Sequence, residues 1–375
     1  MLQQHLSAEE TAASGKVLVA VIDASASHRR QVAQALTPIY RTITFDNADA
    51  AIAPLREAPP RAMLVDRSAL RLDAYQFIKM LRRQRSFAEV PVIFTDNADE
   101  GSVQSAAREC GADAYLAKPY RRSSLIRVIS RQISKSVERK WETLPSLPRN
   151  ALVSTLDVFT RISDVMEKGE PIAYATVLTA CGPLVEAVGM REYKDILKGV
   201  RDHDNYSYAH SVGTATLLLL FGYTIGLKEP DLSLLATGGL LHDVGKLSIP
   251  PEVLDKPPAS FTAEEHKVMQ SHVPLTLQYL ERCPDIPKKL LAIAAEHHER
   301  LDGSGYPLGL KGGALNELAR MASIVDVFCE LSEKRTYRPP LDAEQALRVM
   351  TVDMAAKLDQ KMLGLFREML LDAGN

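Results

Sequence analysis

The sequence predicts two domains of different class: an α/β domain with a doubly wound, five-stranded parallel sheet, followed by an all-α domain. The chain has 375 residues, more than one hydrophobic core usually supports. From Lys16 to about Lys118, short β-branched apolar runs alternate with helical patterns. From Ala151 onward the apolar periodicity is helical to the end of the chain. A multidomain protein follows from these observations.

Five runs have the character of buried strands. Their short length and β-branched content are typical of parallel strands that are covered on both faces. Amphipathic segments between them, such as 73–83 and 102–110, are expected to be the covering helices. Ligands of such a sheet bind at the carboxyl ends of its strands, so the residues there are the ones to examine. The runs are KVLVAVID, RTITF, AMLVD, VPVIFT and AYLAK.

Four polar residues stand at these expected strand ends: Asp23, Asp66, Thr95 and Lys118. Two carboxylates at adjacent strand ends can share a divalent cation. A hydroxyl and an ammonium group can hold phosphoryl oxygens, and Asp66 is then a candidate acceptor of phosphate. One acid at a strand end would mean little, but four such groups in this order predict a phosphorylation site.

A boundary is expected near WETLPSLPRN, which follows a basic helical pattern and contains two prolines, a serine and an asparagine. We therefore predict three segments. They are the α/β domain at 15–135, a helical linker at 136–150 and the all-α domain at 151–375.

Composition limits the function classes. The 45 basic and 47 acidic residues give a formal net charge of -2, so no global field attracts nucleic acid or an anionic membrane. The four cysteines are scattered singly, without the spacing of a disulfide framework or a thiolate zinc site. The first residues have no signal-peptide pattern, and no apolar run approaches the roughly 18 residues of a membrane span. We expect a cytoplasmic protein without nucleic-acid partners or membrane insertion.

Histidine is concentrated in the all-α part, where seven of the nine histidines lie between positions 203 and 298. His242 and Asp243 are adjacent in the apolar segment LLHDVGK, where a charge is costly to bury unless it is paired or bound to a metal. His297 and His298 follow the apolar run LLAIAA, and Asp326 lies in ASIVDVF. An ordinary core histidine explains any one of these, but all of them together predict a metal centre in which Asp243 can bridge two cations.

The segment DGSGYPLGLKG follows the histidine pair directly. Gly303 and Gly305 permit positive φ and let backbone N–H groups approach an anionic ligand, while Pro307 shapes a loop. Asp302 is expected to hold this loop or to orient a ligand histidine. A helix C-cap followed by a turn is the simpler interpretation of the same residues. Lys246, four residues after His242 and so on the same face of a helix, is the candidate for binding a phosphate oxygen.

Residues 15–135 resemble the receiver domain of two-component response regulators. The resemblance implies a flavodoxin-like fold, a sensor histidine kinase as partner, and Mg²⁺ beside the acids. It makes Asp66 in LVDRSALRLDAY the phosphorylated residue, Thr95 in VIFTD the switch hydroxyl, and Lys118 in LAKPY the phosphate-binding lysine. One position departs from the family: Ala24 follows Asp23 where receivers carry a second acid, which should weaken magnesium binding. The alternative is a receiver fold kept as a docking or dimerisation module.

Residues from about 200 to 340 resemble the HD-GYP subgroup of the HD metal-dependent phosphohydrolases. The resemblance rests on HDNYSYAHSVGT, LLHDVGKLSIPPEVLDKP, QSHVPLT, EHHERLDGSGYPLGLKG and VDVFCELSEKRTYRPP. It implies two overlapping sets of metal ligands, with iron or manganese expected and zinc acceptable. Tyr206 stands where some family members have a glutamate that binds a third metal, so two metals are expected. The implied sets are His210, His242, Asp243 and Asp326, and Asp243, His272, His297 and His298.

The same resemblance makes Lys246 and Asp243 the catalytic residues. It also implies substrate contacts, which are Lys246, Asp302, Gly303, Gly305, Tyr306, Pro307 and Arg335.

Together the two resemblances imply a response regulator whose output domain is a metal-dependent phosphodiesterase. The expected reaction converts cyclic di-GMP to pGpG, GMP or both, under control of receiver phosphorylation. Diguanylate cyclase domains and a second copy of the chain are further expected partners. Two alternatives stay open: a module that binds cyclic di-GMP or a protein without hydrolysis, and an HD phosphohydrolase acting on another cyclic dinucleotide.

Overall fold

The computed structural model describes residues 16–70, 73–97, 100–254, 256–333 and 338–374. The chain divides into two compact units, the first reaching Arg139 and the second beginning at Lys140. The segment boundaries expected at 135/136 and 150/151 stay predictions.

The first unit contains a five-stranded, fully parallel sheet with strand order β2-β1-β3-β4-β5. The predicted five-stranded parallel sheet is therefore confirmed. In the register of β3 and β4, Asp66 lies opposite Thr95, so both residues reach the same edge. The strands are β1 (Leu18–Ile22), β2 (Arg41–Phe45), β3 (Ala62–Asp66), β4 (Val92–Asp96) and β5 (Ala114–Ala117).

Helices cover both faces of this sheet. Because side chains alternate along a strand, Met63 and Val65 pack into one core cluster while Ala62 and Leu64 pack into another. The first cluster is completed by α2 and α3, and the second by α1 and α5. The fold is thus doubly wound, as predicted. The helices are α1 (Ala26–Leu36), α2 (Ala48–Glu57), α3 (Ala74–Arg82), α4 (Glu100–Cys110) and α5 (Arg122–Trp141).

The second unit is helical throughout its described part, which confirms the all-α prediction. Three short 3₁₀ segments interrupt its α-helices, at Val244–Ser248, Pro258–Ser260 and Gly312–Ala314. The α-helices are α6 (Ser146–Glu167), α7 (Tyr174–Gly189), α8 (Tyr193–Val200), α9 (Tyr206–Thr224), α10 (Asp231–Leu241), α11 (Pro251–Leu254), α12 (Ala263–Gln270), α13 (His272–Leu280), α14 (Lys288–Glu296), α15 (Glu317–Ser332), α16 (Ala343–Val352) and α17 (Gln360–Gly374).

The centre of the second unit is built from α9 and α10, which are apolar on nearly all sides and are surrounded by other helices. The few polar groups on these helices are therefore placed in the interior. None of the helices in the described ranges combines the length and the apolar character that a membrane span requires.

Candidate metal centre and receiver site

The seven ligands predicted in the second unit lie together, in two groups that share Asp243. Within each group, one candidate ligand atom per residue lies within 4.8 Å of all the others. All seven residues are buried. The groups are His210, His242, Asp243 and Asp326, and Asp243, His272, His297 and His298.

Three of these side chains lie within helices α9, α13 and α15, and the two adjacent pairs directly follow α10 and α14. Consecutive residues of an α-helix point about 100° apart, so two neighbours inside a helix cannot both face one point. α10 ends at Leu241 and α14 ends at Glu296, which leaves His242–Asp243 and His297–His298 on the turns that follow. The local end of each helix is what allows both members of a pair to face the centre.

Asp243 directs one carboxylate oxygen at each group. Its Oδ1 lies 3.1 Å from His272 Nε2 and 3.6 Å from His297 Nε2. Its Oδ2 lies 3.6 Å from His210 Nε2 and 3.4 Å from His242 Nε2. This is the arrangement that a carboxylate bridging two cations requires.

Asp326, in the middle of α15, faces the same space. Its Oδ1 lies 3.1 Å from His210 Nε2 and 3.8 Å from His242 Nε2, and its Oδ2 lies 3.8 Å from His298 Nδ1. Burial opposes the charged form of Asp326, yet its contacts with His210 and His242 hold its pKa well below the usual range. A buried anion therefore stands at the centre.

The centre fits metal ions because its polar atoms are not satisfied within the described chain. Both oxygens of Asp243 and of Asp326 are buried without a hydrogen-bond partner, as is Nε2 of His210, His242 and His297. Leaving ionised carboxylates in this condition is costly unless cations neutralise them. Imidazole and carboxylate ligands without thiolate suit iron, manganese or zinc. The donor set thus matches a two-cation centre.

Hydrogen bonds at the far ring nitrogen fix the orientation of three histidines. Nδ1 of His242, His272 and His297 donates to the carbonyl oxygen three residues earlier, at 2.8, 2.6 and 3.0 Å. Each bond leaves Nε2 directed at the centre. Burial keeps the pKa of His297 below its usual value and, together with His297, keeps that of His298 well below it. Both rings are therefore held in the neutral form that binds metals.

Lys246 lies beside the centre, but not for the reason expected. The helical spacing from His242 was wrong, because α10 ends before His242 and Lys246 belongs to the 3₁₀ segment Val244–Ser248. A Cβ at Gly245 would collide with the carbonyl oxygen of His272, so this turn can pack onto α13 only with glycine there. The turn brings Lys246 Nζ to 2.5 Å from Asp243 Oδ2 and 3.9 Å from Glu330 Oε1.

The glycine-rich loop is held by the acid that follows the histidine pair. Glu299 is buried, and its two carboxylate oxygens accept from the backbone N–H groups of Leu308, Gly309 and Leu310 at 2.6, 3.1 and 2.9 Å. Glu296, just before the pair, accepts from Asn316 N at 2.7 Å. The two flanking acids therefore bind backbone N–H groups of the segment that follows, while the two histidines face the candidate metal centre.

Two glycines of the loop have different roles. Gly303 has a φ of 82°, which glycine permits. Gly305 has a different reason to be glycine: a Cβ there would collide with the backbone of His298 and Glu299, so this residue permits a close approach between the loop and the histidine turn.

Asp302 holds the loop locally. Its Oδ1 accepts from Ser304 N at 2.9 Å and from Ser304 Oγ at 2.6 Å. These hydrogen bonds lower the pKa of Asp302. This is the loop-holding role of the two that were predicted.

Tyr306 brings the loop onto the centre. Its ring stacks on His298, with centroids 4.8 Å apart and planes at 27°. Burial, followed by the nearby acid Glu330, raises its pKa. Pro307, the next residue, is exposed. Arg335, the remaining predicted substrate contact, lies outside the described residues.

The four predicted receiver residues also come together. Lys118 Nζ lies 2.8 Å from Asp23 Oδ2 and 2.6 Å from Asp66 Oδ2. Thr95 Oγ1 donates to Asp66 Oδ2 at 2.8 Å, and Ser68 donates to Asp66 Oδ1 through both its backbone N–H and its hydroxyl. Burial opposes the charge of Asp66, but Lys118, Ser68 and Thr95 lower its pKa below the usual value.

Asp23 has an additional partner that the sequence did not indicate. His28 Nδ1 donates to Asp23 Oδ2 at 2.5 Å, and Ser25 N donates to Asp23 Oδ1 at 2.8 Å. The Tyr120 hydroxyl lies 3.1 Å from the other ring nitrogen of His28. With Ala24 in place of an acid, the carboxylate oxygens here are all engaged, and the described part of this unit contains no group of three metal ligands. Mg²⁺ would therefore have to displace contacts that these two carboxylates already make.

Three functional side chains escaped the sequence analysis: Glu299, His28 and Glu333. Glu299 adjoins a histidine pair and a glycine loop, and that position was a usable signal. His28 and Glu333 carry no local signal, because each acts on a residue of another element. Glu333 Oε2 lies 3.0 Å from His210 Nδ1, 123 positions away in the chain.

Comparisons with known proteins agree with this architecture. A family model for the response regulator receiver domain matches residues 19–130, and a model for the HD domain matches residues 198–362. The cyclic di-GMP phosphodiesterase response regulator RpfG of Xanthomonas campestris pv. campestris (strain 8004) is 27% identical over 352 residues, which cover 92% of this chain and 85% of RpfG.

Two other relatives match a shorter part of the chain. Cyclic di-GMP phosphodiesterase PA4108 of Pseudomonas aeruginosa is 32% identical over 151 residues, or 40% of this chain and 36% of that protein. The 3'3'-cGAMP-specific phosphodiesterase 3 of Vibrio cholerae serotype O1 is 31% identical over 165 residues, or 44% of this chain and 35% of that protein. The matches thus cover about a third of the length of each of these two relatives.

The two family models, the five-stranded parallel sheet and the helical unit with its two candidate metal-binding groups all lead to one assignment. The chain is a response regulator in which a receiver domain precedes an HD domain homologous to cyclic di-GMP phosphodiesterases.

Proposed function

We propose that the HD domain is an HD-GYP-type phosphodiesterase that hydrolyses cyclic di-GMP to pGpG, GMP or both at a binuclear metal centre. The observation that carries the proposal is the pair of ligand groups that share Asp243, with buried carboxylate oxygens that lack partners in the described chain. The names of RpfG and PA4108 as cyclic di-GMP phosphodiesterases support the choice of substrate.

Cleavage of a phosphodiester requires a nucleophile at neutral pH and neutralisation of the phosphate charge. Two bound divalent cations, iron or manganese with zinc also suited to these ligands, supply both. Asp243 would help to hold both cations, since each of its oxygens faces one ligand group. The histidines that donate to backbone carbonyls keep their Nε2 atoms oriented without rearrangement during the reaction.

Lys246 provides the positive charge for the substrate. Its ammonium group lies 2.5 Å from Asp243 Oδ2 and is largely buried at the edge of the centre. In this position it can bind a non-bridging phosphate oxygen and offset the charge that develops during cleavage. Its role as a catalytic residue is part of the proposal.

The loop 302–310 forms the substrate side of the site. Tyr306 stacks on His298, so a substrate at the cations meets the loop as well. Glu299 holds the loop by three backbone hydrogen bonds, and Asp302, Gly303, Gly305 and Pro307 give it its shape. We assign substrate contact to this loop, with Tyr306 as its innermost side chain.

The test is a metal-dependent cleavage assay with the full chain. Protein loaded anaerobically with Fe²⁺ or with Mn²⁺ is incubated with cyclic di-GMP, and the products are separated by chromatography. We expect linear pGpG or GMP, and no product from Asp243→Asn. If neither metal yields a linear product, the enzyme hypothesis is wrong, and tight binding of intact cyclic di-GMP in the same samples then favours the binding module.

A second substrate has a specific observation in its favour. The relative from Vibrio cholerae with 31% identity is named a 3'3'-cGAMP-specific phosphodiesterase. Equimolar cyclic di-GMP and 3'3'-cGAMP in one reaction measure the ratio of the two kcat/KM values directly. If kcat/KM is higher for 3'3'-cGAMP than for cyclic di-GMP, then 3'3'-cGAMP is the preferred substrate.

For regulation, we propose that a sensor histidine kinase phosphorylates Asp66. The support is the contact of its carboxylate with Lys118 and Thr95 at the end of the sheet. Treatment with a small-molecule phosphodonor should add one phosphoryl mass to the wild type and none to Asp66→Ala. Equal masses would favour the docking-module alternative.

A further inference from the structure

Four of the candidate ligand histidines have a hydrogen-bond partner at Nδ1, and these partners are not all of the same kind. His242, His272 and His297 donate to Gly239 O, Met269 O and Ala294 O. These carbonyls lie in the last turns of α10, α12 and α14, where backbone oxygens have no helical donor. Each of the three side chains therefore completes the hydrogen bonding of a helix end while its Nε2 faces the centre.

His210 cannot be oriented in this way. It lies inside α9, which continues for fourteen residues beyond it to Thr224, so the neighbouring carbonyls accept helical N–H groups. Its Nδ1 faces the carboxylate of Glu333 instead, at 3.0 Å from Oε2. Glu333 is the residue directly after α15, the helix that carries Asp326.

The carboxylate of Glu333 is itself held in place. Tyr206, one turn before His210, donates its hydroxyl to the same Oε2 at 2.7 Å. The Tyr206 ring also stacks on the imidazole of His210, with centroids 5.7 Å apart and planes at 20°. The side chain of Glu333 is only 24% exposed. A phenol, an imidazole and a carboxylate thus form a compact unit behind the metal-facing nitrogen.

We propose that Glu333 is a positioning residue for His210: it holds the Nδ1-protonated tautomer, directs Nε2 at the centre, and strengthens His210 as a ligand. The inference rests on the proposed binuclear centre. A carboxylate behind a ligand histidine raises its basicity more than a carbonyl does. The cation held by His210, His242, Asp243 and Asp326 therefore depends on Glu333, whereas the cation held by Asp243, His272, His297 and His298 does not.

The test measures retained metal rather than turnover. Metal-loaded full chains are dialysed against graded chelator concentrations, and metal per chain is measured by elemental analysis. Wild type should show two retained cations. Glu333→Ala should lose one of them at about 10- to 100-fold lower chelator concentration, which is the usual effect of removing such a partner. Glu333→Gln, whose amide oxygen still accepts from Nδ1, should recover part of that loss.

Tyr206→Phe is the matched control. It removes the phenol hydroxyl, which lies 2.7 Å from Glu333 Oε2 and 3.4 Å from His210 Nδ1, and it leaves the shorter contact between Glu333 and His210. It should retain both cations nearly as wild type does. Thermal unfolding of the metal-free proteins should give the same midpoint for Glu333→Ala and wild type.

Three outcomes overturn the inference: Glu333→Ala keeps both cations with wild-type affinity, it loses both together, or Tyr206→Phe loses as much as Glu333→Ala. A lowered midpoint of the metal-free Glu333→Ala protein would likewise assign Glu333 a merely structural role. If wild type itself retains fewer than two cations, the proposed centre is wrong and the inference falls with it.

Discussion

The receiver site and the metal centre contain the same kinds of groups, yet their acids are in opposite conditions. In the receiver, the oxygens of Asp23 and Asp66 all have partners, from Lys118, His28, Thr95 and nearby N–H and hydroxyl groups. In the metal centre, Lys246 lies against Asp243 Oδ2, while Asp243 Oδ1 and both oxygens of Asp326 have no hydrogen-bond partner among the described residues. Both sites contain two acids, so the number of acids does not decide which site needs bound cations. The deciding property is the number of carboxylate oxygens that have no partner.

The same comparison applies to charge. The receiver brings its own cation, Lys118, between its two carboxylates. The HD centre has Lys246 on one side only, at Asp243 Oδ2. Two buried carboxylates with one adjacent ammonium and a set of imidazoles stay in need of positive charge. Four experiments sharpen or break this contrast, from the largest expected effect to the smallest.

The largest effect is expected at the shared acid. Asp243→Asn removes the bridging charge and should abolish retention of both cations. Metal-centre stabilisation of the transition state amounts to several kcal/mol, so kcat/KM should fall at least about a thousandfold. Elemental analysis and product chromatography measure both quantities. The matched control is Glu264→Gln, an exposed acid of α12, which should behave as wild type. Wild-type metal content in Asp243→Asn would contradict the bridge.

Glu299 tests the rule that a satisfied acid does not bind metal. In the wild type, three backbone N–H groups donate to the carboxylate of Glu299. Glu299→Gln replaces this carboxylate by a neutral amide. Charge-assisted hydrogen bonds contribute about 1.5–3 kcal/mol each, so the loop should loosen and kcat/KM should fall about 10- to 100-fold. The metal content should stay at two. Limited proteolysis within 301–311 reports the loosening directly.

Glu296→Gln is the control for this experiment, since Glu296 holds one backbone N–H of the same region. Its effect on proteolysis and activity should be clearly smaller than that of Glu299→Gln. Loss of metal from Glu299→Gln would mean that this acid belongs to the centre after all.

The receiver should bind Mg²⁺ more tightly when Asp23 no longer contacts His28 and a second acid is present beside it. Ala24→Asp combined with His28→Ala adds a carboxylate and frees Asp23, and oxygen ligands are those that Mg²⁺ prefers. We expect at least about a tenfold gain in Mg²⁺ affinity over wild type, as two favourable contacts of about 1 kcal/mol each would give. Calorimetric titration of chains with a metal-loaded HD domain measures it, with the Asp23→Asn variant as blank. His28→Ala alone separates the release of Asp23 from the added carboxylate, and an affinity equal to that of wild type in this single variant would show that His28 does not compete with the cation.

The smallest effect is expected at Tyr120, whose hydroxyl contacts His28 Nε2. Tyr120→Phe removes one neutral hydrogen bond, with a net contribution of about 1 kcal/mol, so Mg²⁺ affinity should rise no more than about fivefold. The same titration checks it. A gain as large as that of His28→Ala would mean that the phenol, and not the imidazole, controls access to Asp23.

Much of the fold followed from local patterns. Five β-branched runs predicted five parallel strands because a strand buried on both faces must be apolar throughout. Helical periodicity predicted an all-α second unit for the same kind of reason. The placement of Asp66 and Thr95 at one sheet edge followed from the common direction of parallel strands.

Less of the candidate metal site could be predicted from the sequence. The helical spacing of Lys246 failed because the chain leaves α10 at Leu241, and only the packing of Gly245 on α13 explains that turn. The need for glycine at position 305 comes from the backbone of the histidine turn, which packs against it, and the sequence pattern gave no sign of that contact. In both cases the decisive neighbour lies in another part of the chain.

By itself, the sequence determined the order of the elements, the two domain classes and, through family resemblance, the candidate ligand residues, because these depend on side-chain type and short-range period. The tertiary structure alone decided which partner completes each polar group: His28 for Asp23, Glu299 for the loop and Glu333 for His210. Such pairs join different elements, and the last spans 123 positions. No local period encodes a contact of that range, since it forms only when the helices have packed.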